Sequence, residues 1–225
     1  GGFGQIATYL TLFWTTFAGL KVAQAGSIVG IATMLAAFSA LVFGTLSDNL
    51  YRYKIGRKFG RRHLLILLGV PLLIVTILMF VPGMPVWAYF VVYALWIITN
   101  QLIMTPYSLL PNEMTTDFNG RTMLSTTRML FSGISTAVVP LGMAALLSAL
   151  GDKKSSSYTI SMGAFIVLFA ICVFIAYKST WELTPEEAGF DVEEIEKEQK
   201  EPFNFGKWLK GVGDIFVGYF STLRN

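Results

Sequence analysis

The chain has few of the residue types that enzymes, metal sites and soluble surfaces require. Only 14% of its 225 residues are charged, and it contains one cysteine and one histidine. A soluble domain of this length needs more charge to cover its surface. The lone Cys172 cannot form an intrachain disulfide, and one histidine with one cysteine is too few for a structural zinc site. We therefore expect neither an enzyme nor a bound metal or cofactor.

Long apolar runs stand where charge is missing, and 54% of the residues are hydrophobic. Six runs reach roughly 18 residues, the length that crosses a bilayer as a helix. Because lipid offers no partners to backbone groups, each run is predicted to be helical. The runs are Phe3–Leu20, Gly26–Leu46, Leu64–Val81, Trp87–Met104, Met129–Leu150 and Tyr158–Tyr177. The pattern predicts an all-α integral membrane protein, with a six-transmembrane-helix bundle over residues 1–177.

Basic residues are concentrated on one set of connections. Of the 17 Lys and Arg residues, all but Lys21, Lys153 and Lys154 lie in or beside the longer connections. The longer connections are predicted at residues 48–63, at residues 105–128 and from Lys178 onward. Since cytoplasmic loops carry an excess of Lys and Arg, we predict that these connections and both ends of this chain are cytoplasmic, at the plasma membrane. The same distribution predicts lipid, and not nucleic acid, as the partner of the basic charge.

Small residues recur every four positions along the second run, at Ala32, Ala36, Ala40 and Gly44. Such a stripe lets a neighbouring helix backbone approach closely, which favours helix association in lipid. The alternative is chance in an alanine-rich segment. His63, at the boundary of the third run, is expected to be an interfacial residue and not a base or a ligand.

The composition changes after Tyr177. Residues 182–201 carry nine carboxylates, which predicts a solvated acidic cytoplasmic linker over residues 178–202, with a helix beginning near Thr184. Residues 203–225 place aromatic and aliphatic side chains at helical spacing. They are predicted to form either an amphipathic interfacial helix or the lead-in to a seventh span. The chain begins without Met, and we expect it to be cut at both ends.

The connection after the second run combines acid, glycine and a dense basic cluster. Asp48 lies at a helix end where Arg57, Arg61 or Arg62 could bind it, in an ion pair that a conformational change breaks. Glu113 and Arg121 could act likewise in the next connection. We therefore predict a cytoplasmic gate in this connection, with related residues in the next cytoplasmic connection. The alternative is that the basic cluster only sets topology and contacts anionic head groups. The candidate gate residues are Gly44, Asp48, Gly56, Arg57, Arg61, Arg62, Glu113 and Arg121.

Two of these stretches resemble a known family. Residues 44–62 look like the loop between helices 2 and 3 of the major facilitator superfamily. Residues 105–128 are similar to the helix 4–5 connection of its glycoside–pentoside–hexuronide:cation symporters, the melibiose and lactose carriers. The resemblance implies two six-helix bundles that rock around a central site. This chain would be the N-terminal half, and its partners would be a small polar solute such as a sugar or glycoside and a C-terminal half or second membrane chain.

Arg128 is the leading candidate for solute binding, since the matching arginine of the resembled family lines the sugar path. Its guanidinium offers a fork of donors that suits paired hydroxyls or a carboxylate. The alternative is that Arg128 snorkels to the head groups. Further polar side chains within the spans could bind solute or could bond helix to helix. They are Gln5, Thr8, Tyr9, Tyr93, Asn100, Gln101 and Ser132. Asn100 and Gln101 are adjacent, so at most one should face a solute.

The coupling cation is where the chain departs from the resembled family. Melibiose-type carriers place acids within the second and fourth helices to coordinate sodium, whereas residues 31–43 and 87–104 contain none here. Either the coupling site lies in the absent half or the carrier is a facilitator. An alternative from another class is a non-transporting six-helix membrane subunit or scaffold, which would bind a partner protein through the acidic linker and the aromatic helix.

Overall fold

The computed structural model describes residues 2–50, 54–151, 153–182, 184, 187 and 206. Within these residues the regular structure is entirely helical. The helices are α1 (Gly2–Thr16), α2 (Val22–Asn49), α3 (Lys54–Phe59), α4 (His63–Val75), α5 (Val86–Met114), α6 (Phe118–Leu150) and α7 (Ser155–Ser179). A 3₁₀ turn over Thr76–Phe80 extends α4. Most of the predicted acidic linker, and all of the predicted interfacial helix except Gly206, lie outside the described residues.

Five helical segments of the described chain are long and apolar enough to cross a membrane. They are Val22–Ser47, His63–Phe80, Val86–Met114, Phe118–Leu150 and Ser155–Ser179. These match five of the six predicted runs. The 15 residues of α1 extend about 22 Å, which is less than the roughly 30 Å of a hydrocarbon core. The described residues confirm an all-helical fold with five helices long and apolar enough to span a membrane, while the sixth span remains a prediction.

Helices α5 and α6 continue well beyond the apolar runs that predicted them. The expected long polar connection over residues 105–128 is wrong, because most of it is helical and only residues 115–117 separate the two helices. Pro106 and Pro111 lie within α5, as packed membrane helices tolerate. Helix α6 begins early because Asp117 caps it, its side chain accepting from Gly120 N–H at 2.7 Å.

Aromatic side chains form the core between α1, α4, α5 and α7. Trp14 is completely buried, and its indole Nε1 donates to the Met79 carbonyl at 3.1 Å. Tyr93 meets Trp14 edge-on at 5.5 Å between ring centroids and stacks on Trp96 at 5.5 Å. Since lipid gives little hydrophobic drive between helices, such packing and interhelical hydrogen bonds hold the bundle together.

Helix α2 packs along α5 through part of the small-residue stripe. Ala32 is fully buried, and the Ala36 carbonyl accepts from Gln101 Nε2 at 3.0 Å. A small side chain at residue 36 leaves that carbonyl open to a neighbouring helix. A Cβ added to Gly44 would meet nothing within 4 Å, so the close approach ends before it. The packing interpretation therefore holds at Ala32 and Ala36.

Candidate functional site

Three connections meet at one end of the bundle. The α2–α4 connection reaches α5 where Arg61 and Arg62 contact Glu113, and it reaches the segment after α7 where His63 contacts Glu182. The indole of Trp181 donates to the Met114 carbonyl at 3.1 Å, which ties that segment to the end of α5. The α6–α7 connection with Lys153 and Lys154 lies at the other end of α7. The two predicted groups of connections thus lie at opposite ends of the bundle.

Glu113 joins two arginines, Arg61 and Arg62, of the basic motif at residues 44–62. Its Oε1 contacts Arg62 Nη2 at 2.9 Å and also bonds to Arg61 Nη2. All three side chains are at least nine-tenths buried. Glu113 was expected in a loop, but it lies in the last turn of α5. The side chains of Asp48 and Arg57, the other predicted gate residues nearby, lie outside the described residues.

Arg121 braces the turn between α5 and α6. It lies in the first turn of α6, and its Nε donates to the Thr115 carbonyl at 2.8 Å. This local bond favours a role in holding the turn. Among the described residues Arg121 makes no ion pair with the Arg61–Arg62–Glu113 cluster, with which the sequence had grouped it.

Two glycines of the basic motif are required by close contacts. A Cβ on Gly56 would lie 2.1 Å from the Leu50 carbonyl oxygen, a distance that forces the backbone to move. Gly60 has a φ of +85°, in the left-handed region that favours glycine, and a Cβ there would lie 3.0 Å from Glu182 Oε1. These contacts give a physical reason for the repeated Gly-Arg pattern.

Glu182 caps the start of α4 from the other end of the chain. Its carboxylate accepts from the backbone N–H groups of Arg61, Arg62 and His63 at 3.1, 2.9 and 2.6 Å. It thus satisfies donors that a helix N-terminus leaves open and sits at the positive end of the helix dipole. Burial opposes its charge, but the hydrogen bonds from His63 and Arg62 prevail and hold the pKa of Glu182 below its usual range. Its expected place in a solvated linker is wrong.

His63 is buried among groups from α7 and the residues after it. Its Nδ1 lies 2.7 Å from Glu182 Oε1, and its Nε2 lies 2.9 Å from Thr180 Oγ1. The Tyr177 ring packs edge-on against the imidazole at 5.7 Å. The expectation of a simple interfacial histidine is therefore wrong, because its side chain is enclosed by protein.

Arg128 lies about three turns into α6 and faces α5. Its Nη1 donates to the Ser108 carbonyl at 3.0 Å, and its guanidinium lies 5.9 Å from the centre of the Tyr107 ring. Within the described part of the chain, this is the single hydrogen bond of a group with five N–H donors. Ser132 follows one turn later on the same face of α6. The arrangement leaves donors for a hydroxylated or anionic solute.

The other solute candidates divide by burial. Tyr93 is enclosed in the aromatic core, and Gln101 is engaged with α2, so both serve packing in this conformation. The Tyr9 hydroxyl donates to the Pro140 carbonyl at 3.4 Å and links α1 to α6. The remaining candidates are accessible at least in part; they are Gln5, Thr8 and Asn100.

Comparison with known proteins identifies the class of protein. Residues 5–215 match the family described as MFS/sugar transport protein. The chain therefore belongs to this family, as the resemblance of the basic loop predicted. Its helices and its family together define a multi-pass membrane protein of a transport family.

Two curated relatives come from Bacillus subtilis (strain 168). The uncharacterized symporter YjmB is 29% identical over 185 residues, which cover 80% of this chain and 39% of the relative. The uncharacterized symporter YnaJ is 28% identical over 191 residues, which cover 80% of this chain and 40% of the relative. The chain thus spans about two fifths of the length of these relatives. No solved structure matches it.

Proposed function

We propose that this chain acts in secondary transport of a sugar or glycoside, as the N-terminal half of a carrier that works by alternating access. The observation that carries the proposal is the family match over residues 5–215. In this proposal α1 supplies the sixth span, and a C-terminal half or a second membrane chain completes the cavity. The basic end of the bundle faces the cytoplasm, at the plasma membrane.

The Arg61–Arg62–Glu113 cluster is the proposed cytoplasmic gate element of this half. Ion pairs buried at the end of a bundle hold one arrangement of the connections and lose their partners when the connections part. The arginines and Glu113 are all buried, and a buried charge separated from its partner is costly. The cost favours the paired conformation over conformations in which the contact is partly broken. The connections at this end are therefore expected to be either paired or separated, with few intermediate conformations.

The proposed solute contacts centre on Arg128 and Ser132. Guanidinium and hydroxyl groups recognise sugar hydroxyls by directional hydrogen bonds. The symporter names of the relatives favour a coupled carrier. Since residues 31–43 and 87–104 carry no carboxylate, the coupling ion, if one is used, binds outside these segments.

Solute binding gives the first test. The full chain in lipid nanodiscs is titrated with glycosides, sugar acids and amino acids while its thermal unfolding is recorded. We expect stabilisation by one sugar class, since a ligand that binds only the folded state stabilises it by about 2.7 kcal/mol at 100 times its Kd. Arg128→Ala should weaken this binding at least about tenfold, because the donor fork is lost.

Arg121→Ala is the matched control, because it removes an arginine of the same helix that faces the α5–α6 turn. It should leave solute affinity unchanged. An equal loss of solute affinity in both variants would contradict the proposed role of Arg128. No stabilisation by any sugar would contradict the sugar class.

A further inference from the structure

The hydrogen bonds around His63 bear on its protonation. Thr180 has one hydroxyl hydrogen, and its Oγ1 donates to the Ala176 carbonyl at 2.7 Å. The same Oγ1 is therefore left to accept from His63 Nε2. On the other side of the ring, Nδ1 faces the Glu182 carboxylate, which can only accept. With Thr180 bonded to Ala176 in this way, both ring nitrogens have acceptors, and the geometry accommodates an imidazolium.

We propose that Glu182 is a positioning residue for the Arg61–Arg62–Glu113 cluster, and that protonated His63 holds it in place as a proton-dependent latch. The latch consists of Thr180, Glu182 and His63. It rests on the proposed function, since it acts on the cluster assigned there to the closed cytoplasmic end. It adds a means by which the segment after α7 controls that end.

Glu182 and Glu113 bind different atoms of the same two arginines. The Glu182 carboxylate binds the backbone N–H groups of Arg61 and Arg62, while Glu113 binds their side chains. The carboxylate enters this space because Gly60 has no Cβ. Loss of the carboxylate frees the backbone of the same two residues whose guanidinium groups must reach α5. Trp181 adds a second tie, from the latch segment to the Met114 carbonyl.

The charged groups around His63 set the sign of the pH response. Glu182 contacts the ring directly and favours its charge, whereas Arg61 and Arg62 precede it and oppose that charge. Glu113 of α5 contacts Arg62, the residue before His63, and the Tyr177 ring of α7 packs on the imidazole. The latch is closed while His63 is protonated and Glu182 is ionised. It opens when His63 loses its proton at higher pH, and also in acid once Glu182 takes up a proton.

The single histidine makes the test direct. The full chain is labelled with ¹⁵N-histidine in nanodiscs, and the two ring nitrogens are observed by NMR across pH. In the wild type both should carry protons on the acidic side of neutrality. In Glu182→Gln the doubly protonated population at the same pH should fall at least about threefold, because the facing anion is lost. An unchanged population would overturn the latch.

Hydrogen exchange tests the positioning step. The amides of Arg61, Arg62 and His63 should exchange at least about tenfold faster in Glu182→Gln, and in His63→Gln as well. The wild type should approach these rates as pH rises, after correction for intrinsic exchange, while His63→Gln shows no such extra rise. Glu187→Gln, which alters a fully exposed acid nearby, is the control and should match the wild type.

Neither measurement uses a solute, so the two proposals fail separately. Sugar binding with unchanged histidine protonation and amide exchange would refute the latch and leave the transport proposal standing. Altered protonation and exchange without binding by any sugar would support the latch contacts and contradict the sugar class.

Discussion

Glu113→Gln is expected to destabilise the chain by about 3–5 kcal/mol, the usual cost of removing one partner from a buried ion pair. Glutamine keeps the shape of the side chain and can still accept at Oε1, so the change removes mainly the charge that Arg61 and Arg62 share. Two guanidinium groups would then lie buried beside a neutral amide. Reversible unfolding of the full chain in bicelles measures the free-energy difference.

Two further variants isolate the cause. Glu187→Gln makes the same substitution at an exposed carboxylate and should change stability by no more than about 0.5 kcal/mol. Replacing Glu113, Arg61 and Arg62 together with Met removes all three charges of the cluster, and such replacements are often neutral or stabilising. The triple variant should recover most of the loss. Similar effects of the two glutamine variants would contradict the buried cluster.

Gly56→Ala is the second change with a large expected effect. The added Cβ would lie 2.1 Å from the Leu50 carbonyl oxygen, so the backbone between α2 and α3 must shift. Strain of this kind costs about 1–3 kcal/mol and occasionally more. We expect a loss of stability in that range, together with faster hydrogen exchange over Lys54–Phe59.

Gly44→Ala is the matched control, since it changes another glycine of the same motif. Its Cβ would meet nothing within 4 Å, and alanine within a helix is favoured over glycine by roughly 0.5–1 kcal/mol. The two variants should therefore change stability in opposite directions. A loss of equal size at both positions would show that the motif depends on glycine for another reason.

The membrane architecture could be predicted from composition because lipid leaves few options for an apolar run. Five of the six runs appear as helices of spanning length in the described residues. Helix ends were predicted poorly, because the apolar runs end where lipid ends, whereas a capped helix continues into polar surroundings. Asp117 shows this best, since its cap starts α6 eleven residues before the predicted Met129.

The ion cluster could be predicted only in part. Arg61, Arg62 and Glu113 were all predicted as gate residues, but the arginines were expected to pair with Asp48, and their contact with Glu113 was not predicted. The contact of His63 with Glu182 joins residues 119 positions apart, and no periodic pattern reports such a pair. A usable signal was present: Glu182 is the first acid after the last long apolar run, and Arg62, which precedes α4, does not cap that helix with its own side chain.

Solute contacts were the hardest to predict, because the same residue types serve packing and recognition. Gln101 and Tyr93 fit a sugar site by type, yet one bonds to the Ala36 carbonyl and the other fills the core. The sequence spacing places Asn100 and Gln101 on different faces but does not say which face meets a helix. Contacts between helices decide that, and they involve residues distant in sequence.

The two prolines of α5 have a mechanical consequence. Pro106 and Pro111 each remove an N–H from the helix ladder, so the segment that ends at Met114 bends more easily than the rest. Gln101, whose bond fastens α5 to α2, lies before both prolines. Glu113 thus lies on a flexible helix end, whereas the part of α5 before the prolines is fixed against α2. The end of α5 can therefore move without breaking the contact between α2 and α5 at Gln101.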